Sequence, residues 1–166
     1  MKKNVLALLA VLVMAGAAFA AEAVPSGATF YTLRLVPGMD LVQEVRKFAD
    51  ENHLQAASVV SAVGSLSQAN IRYADRSDGT LLKGVFEVIY FGGTIDAKKQ
   101  HLHISIADEN GKMVGGHLMK SGSVTRTTME IVLMELNDVV YTREKCPLST
   151  YNELVVRRRE NASAPK

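Results

Sequence analysis

The sequence predicts an α+β fold, with one main helix packed on a mostly antiparallel sheet of six to seven strands. Three observations carry that prediction. Only one stretch, after Asp40, has its apolar residues at helical spacing. Many other stretches alternate apolar and polar residues and end at Gly, Asp or Ser turns. Residues 101–117, HLHISIADENGKMVGGH, read as a strand, a turn and a returning strand, and hold three of the four histidines.

The chain opens with MKKNVLALLAVLVMAGAAFA. Lys2 and Lys3 precede an apolar run from Val5 to about Met14, and Ala18-Phe19-Ala20 is a small-x-small cleavage pattern. Residues 1–20 are therefore expected to be a secretory signal peptide, and the mature protein exported, to the periplasm. The run is too short for a spanning helix, and no later segment reaches that length. A second Ala-x-Ala at Ala21-Glu22-Ala23 could move the cut. Of the 19 Lys and Arg, loss of Lys2 and Lys3 leaves 17 against 17 Asp and Glu. A neutral mature chain argues against nucleic acid, which is bound largely by excess Lys and Arg. The remaining 146 residues suit one domain.

Residues 21–27 are small and polar and read as a flexible leader. Thr29 to Leu35 alternates as a first strand, and Val36-Pro37-Gly38 turns the chain. Asp40 is positioned as a helix N-cap with Gln43 at the capping-box position. Leu41, Val45, Phe48 and Ala49 form one apolar stripe, and the helix runs to about Asn52. His53 follows it as an exposed helix-end residue. Gln55 to Leu66 reads as a buried strand continuing through Tyr73, with Gly64 marking a bulge or close backbone approach. Residues 74–79 form a loop, Thr80 to Lys83 a short strand, Val85 to Ile95 a longer one, and residues 96–100 the next loop.

After the histidine hairpin, Ser121-Gly122-Ser123 breaks the pattern. Strands are expected at Val124 to Leu136, Val139 to Arg143 and Tyr151 to Val156. Residues 158–166, with the arginine run that begins at Arg157, read as a disordered tail. Cys146 is the single cysteine, so no internal disulfide forms.

The hairpin carries the chemistry. Successive strand side chains point to opposite faces, so Leu102, Ile104 and Ile106 face the core while His101 and His103 share the other face. The loop decides where His117 lands. A two-residue Asn110-Gly111 turn would set His103 opposite Leu118 and turn His117 away. A three-residue loop, Glu109-Asn110-Gly111, pairs Asp108 with Lys112 and sets His103 opposite His117. Gly111 then adopts the left-handed conformation. A bulge at Gly115-Gly116 would disturb that register. Three converging imidazoles can hold zinc and leave a fourth position open; iron, nickel and copper also accept imidazole. Glu87 is a candidate partner or general base, and Ser105 shares the histidine face if alternation holds.

HLHISIADENGKMVGGH, with SVVSAVGSLSQANIRYA before it and TYNELVV after it, resembles the PPC (plants and prokaryotes conserved) domain over residues 28–157. The resemblance implies an α/β homotrimer. It also implies a metal, typically zinc, held by residues that map to His101, His103 and His117. The expected function is an exported, trimeric, metal-binding PPC protein of undefined role, with room for a small-molecule ligand. A metal-dependent hydrolase is the alternative. A DNA-binding or regulatory role, as in plant relatives, is disfavoured by the neutral mature charge and the missing Arg-Gly-Arg-Pro core.

Overall fold

The computed structural model describes residues 23–160. The expected signal peptide, residues 21–22 of the leader and residues 161–166 of the tail lie outside that range. The elements run β1 (Ala28–Leu35), α1 (Leu41–Glu51), β2 (Ala56–Arg72), β3 (Thr80–Asp96), β4 (Gln100–Ala107), β5 (Met113–Leu118), β6 (Val124–Leu136), β7 (Val139–Lys145) and β8 (Asn152–Arg158).

Six strands form one sheet in the order β1-β6-β2-β3-β4-β5, and every pairing is antiparallel. The end of β2 also pairs with β5, through Ile71 with Leu118 and Arg72 with His117. Strands β2 to β5 thus close into a ring that brings Arg72 beside the histidine hairpin. The α+β architecture predicted from the sequence is the one observed. The last two strands differ in pairing only with each other. Strand β6 is already flanked by β1 and β2, so the chain leaving it finds no open neighbour there.

The short run expected at Thr80–Lys83 and the longer one at Val85–Ile95 form one continuous strand, β3, of 17 residues. Its partner β2 is equally long and absorbs the mismatch as a register shift between Leu66 and Gln68. Gly64 sits at another such shift, with φ of 147°, where an added Cβ would strike the Thr128 carbonyl. The arginine run is not a free tail where it is described. Arg157 and Arg158 belong to β8, and Arg159 bonds the Glu135 carboxylate at 2.8 Å.

Helix α1 forms as its stripe requires. Leu41, Val42, Val45 and Ala49 are buried, while Phe48 lies at the edge, ring to ring with Tyr31 at 5.3 Å. The sheet supplies the opposing layer, with Leu102, Ile104 and Ile106 from β4 and Met129, Ile131 and Leu133 from β6. Burying each such side chain contributes about 1.5–3 kcal/mol, so β4 is held with this face inward.

Asp40 joins helix to sheet. One carboxylate oxygen accepts the N–H groups of Val42 (3.0 Å) and Gln43 (3.1 Å), as a cap does. The other accepts those of Gly122 (2.6 Å) and Ser123 (3.2 Å), just before β6. Asp40→Ala leaves all four donors without this acceptor. It is expected to lower unfolding free energy by about 2–4 kcal/mol in urea titrations, with Asp40→Asn losing less. A loss under about 0.5 kcal/mol would show that the junction is held by other contacts.

Candidate metal centre

The hairpin takes the register of the three-residue loop. His103 pairs with His117, Ser105 with Gly115 and Ala107 with Met113, with no shift along the ladder. The Asp108 N–H donates to the Lys112 carbonyl at 3.0 Å, and the Gly111 N–H to the Asp108 carbonyl at 2.9 Å. Gly111 has φ of 75°, the left-handed conformation that a side chain disfavours. The Asp108 carboxylate accepts the N–H groups of Asn110 and Lys112, both at 2.9 Å, and so fixes the loop from within. The bulge that Gly115-Gly116 could have allowed between β4 and β5 does not form.

Three imidazoles meet as a result. Ring centroids lie 5.0 Å apart for His101 and His103, 5.2 Å for His101 and His117, and 5.6 Å for His103 and His117. Each ring offers one nitrogen such that all three lie within 4.8 Å of one another. The Nε2 atoms of His101 and His103 stand 3.2 Å apart. Two nitrogens on a tetrahedral zinc at about 2.0–2.1 Å are separated by about 3.3 Å, close to that spacing. The Nδ1 of His117 is buried and has no hydrogen-bond partner among the described residues. A buried imidazole nitrogen left without a partner is costly. His53, at the end of α1 with φ of 54°, is no part of this group.

The surroundings favour the neutral form of His101 and His117. Burial lowers the pKa of His117 most, followed by the nearby Arg72 cation and by His101 and His103, to about 4. His101 is also lowered, first by burial, then by His103 and Arg143, against the opposing pull of Glu153. Neutral imidazole is the form that binds metal.

The neighbours differ from those expected. Glu87 pairs with Ala107, four residues along β4 from His103, or about 13 Å by strand rise. It is therefore set away from the cluster. Ser105 pairs with Tyr90 on β3, and the Tyr90 hydroxyl rests over Gly92, the residue opposite His103. The residues beside the cluster that periodicity does not reveal are Arg72 and Arg143. Arg72 lies opposite His117 in the β2–β5 pairing. Arg143 donates to Thr94 Oγ1 at 3.1 Å, and Thr94 lies opposite His101. Arg143 is itself held by the buried Asp96 at 3.1 Å. Cys146 is unpaired in the turn between β7 and β8.

The family model of the Plants and Prokaryotes Conserved (PCC) domain, the same family under its other abbreviation, matches residues 22–137. The chain belongs to this family. The chain is 40% identical over 145 residues, 87% of its length, to the bifunctional protein GlmU of Synechococcus sp. strain JA-3-3Ab. It spans only 23% of that relative. Among solved structures, a hypothetical protein from Salmonella enterica is 40% identical with a TM-score of 0.80, over 81% of this chain and 97% of that one. A metal-containing protein from Archaeoglobus fulgidus shares the fold at 23% identity and a TM-score of 0.65, over 79% of this chain and 95% of that one.

The lowered His117 pKa gives the metal-free protein a pH signature. Between about 4 and 6.5 the unfolded chain protonates this histidine and the folded chain does not. Stability therefore rises with pH in that window and is lost as pH falls from 6.5 towards 4. Urea midpoints of the chelated protein are expected to show this slope, and His117→Gln to flatten it. An equal slope in both proteins would contradict the assignment.

Proposed function

We propose that this PCC-domain protein is an exported homotrimer that binds a divalent transition metal, zinc first among them, through His101, His103 and His117. The observation that carries the reading is the convergence of three imidazole nitrogens, each pair within 4.8 Å. The orphaned Nδ1 of His117 supports it further. Three histidines leave one position of a tetrahedral site for water or a ligand, as sites that exchange a ligand do. The Archaeoglobus protein of the same fold is metal-containing, which supports the reading. That this chain uses it so rests on its own histidines.

Export rests on residues 1–20, with their basic start, apolar run and Ala-x-Ala end. No helix among the described residues is long and apolar enough to cross a membrane. Trimer formation draws support from apolar side chains left exposed along β2 and β3. Val60, Val63, Val85 and Ile89 are each more than 40% exposed, an arrangement that a partner subunit would bury. The hydrolytic alternative ranks behind, because Glu87, its candidate base, stands apart from the histidines.

Elemental analysis of the purified full chain, beside His101→Ala/His103→Ala/His117→Ala, tests the central part. About one metal per chain is expected in the wild type and none in the variant. No metal in either protein after incubation with zinc would overturn the reading. Light scattering on the same samples is expected to give three times the chain mass; a monomer mass would remove the trimer alone.

A further inference from the structure

The histidine cluster borders a cleft of about 790 Å³, within the usual range for small-molecule sites. His101 and His117 form part of its wall. Its cations are Arg72, Arg76, Lys99 and Arg143, and its carboxylates are Asp75 and Glu153. Arg143 is offset by Asp96, which also accepts the N–H groups of Lys98 (2.8 Å) and Lys99 (2.6 Å). Arg72, Arg76 and Lys99 form no ion pair among the described residues. Arg72 donates to the Arg76 carbonyl at 3.2 Å, which keeps the two arginines on one side of the cleft. Glu153 accepts from the Ser149 hydroxyl at 2.8 Å.

The far wall is the β7–β8 hairpin, which contributes Arg143, Tyr151, Asn152 and Glu153. This hairpin lies beyond residue 137, where the match to the family model ends. The cleft is thus walled on one side by the conserved-domain sheet and on the other by a segment outside the matched region.

We propose that this cleft binds a small, multiply charged oxyanion, a phosphate or a dicarboxylate, between the histidine cluster and the cations Arg72, Arg76 and Lys99. The proposal deepens the metal-binding reading and rests on it only for the contact the anion makes at the histidines. Its physical basis is charge and reach. Guanidinium and ammonium groups pair with carboxylate and phosphate oxygens through charge-assisted hydrogen bonds. Three unpaired cations face two carboxylates before any metal is counted, and a divalent metal at the histidines widens the excess. Arg72 stands directly across the strand pair from His117, so one small anion can reach both. The excess of cations favours an anion over a neutral or cationic ligand.

The test is calorimetric titration of the full chain with inorganic phosphate and, separately, malonate, each with the protein zinc-loaded and chelated. Arg76→Ala/Lys99→Ala is the informative variant, because both side chains are exposed and make no hydrogen bond within the described residues. Unchanged melting confirms that it folds, and Arg76→Lys/Lys99→Arg restores the charge. At least one of the two anions is expected to bind the wild type, about tenfold weaker in the alanine variant and near wild type in the charge-restored one. The same dependence is expected without zinc, at lower affinity. Binding that the alanine variant leaves unchanged, or binding of neither anion in either state, overturns the proposal. Metal content measured on the same samples separates the two readings. Zinc retained with no cation-dependent anion binding removes the cleft alone; cation-dependent binding without any zinc uptake removes the metal alone.

Discussion

The register of the β4–β5 hairpin is the constraint on which the candidate site depends. Strand side chains alternate with a period of two, so a slip of one residue would exchange the two faces of β5 relative to β4. Burial of Leu102, Ile104 and Ile106 holds β4 with its histidines outward. The Asp108–Lys112 loop, closed on Gly111, then sets His117 against His103 rather than one residue away. Apolar burial chooses the face, and loop geometry chooses the partner. Neither alone would bring three imidazoles together.

Two carboxylates tie this hairpin to the rest of the molecule. Asp40 holds the start of α1 against the segment that enters β6. Asp96 ends β3, accepts the backbone of the turn into β4, and anchors Arg143 from β7. Arg46 of α1 also donates to the carbonyls of Asp96 and Lys99, so the helix braces the same turn. The histidine strand begins one residue beyond that turn, so its position is fixed at both ends, by Asp96 before it and Asp108 after it.

Much of this was legible in the sequence because it follows from local periodicity. Alternation in HLHISI predicts the buried face, the 3.6-residue stripe after Asp40 predicts the helix, and the spacing around Gly111 predicts the register. What could not be read depends on contacts far apart in the chain. Arg72 reaches His117 only because β2 curls back to pair with β5, and Arg143 reaches the site only because β7 crosses to Thr94 and Asp96. Glu87 was a reasonable candidate by residue type, and its strand does neighbour β4, but its register sets it opposite Ala107. The arginine run read as a solvated end by composition, whereas the β7–β8 ladder includes Arg157 and Glu135 holds Arg159 against the fold.

The central claim is that three histidines from one hairpin bind a single metal ion. X-ray absorption at the zinc edge of the zinc-loaded full chain tests it most directly. The account predicts three imidazole nitrogens at about 2.0–2.1 Å and one water or other oxygen donor in a tetrahedral shell. A shell dominated by water oxygens, or one with a single imidazole, would contradict it and leave the histidine cluster as plain sheet surface.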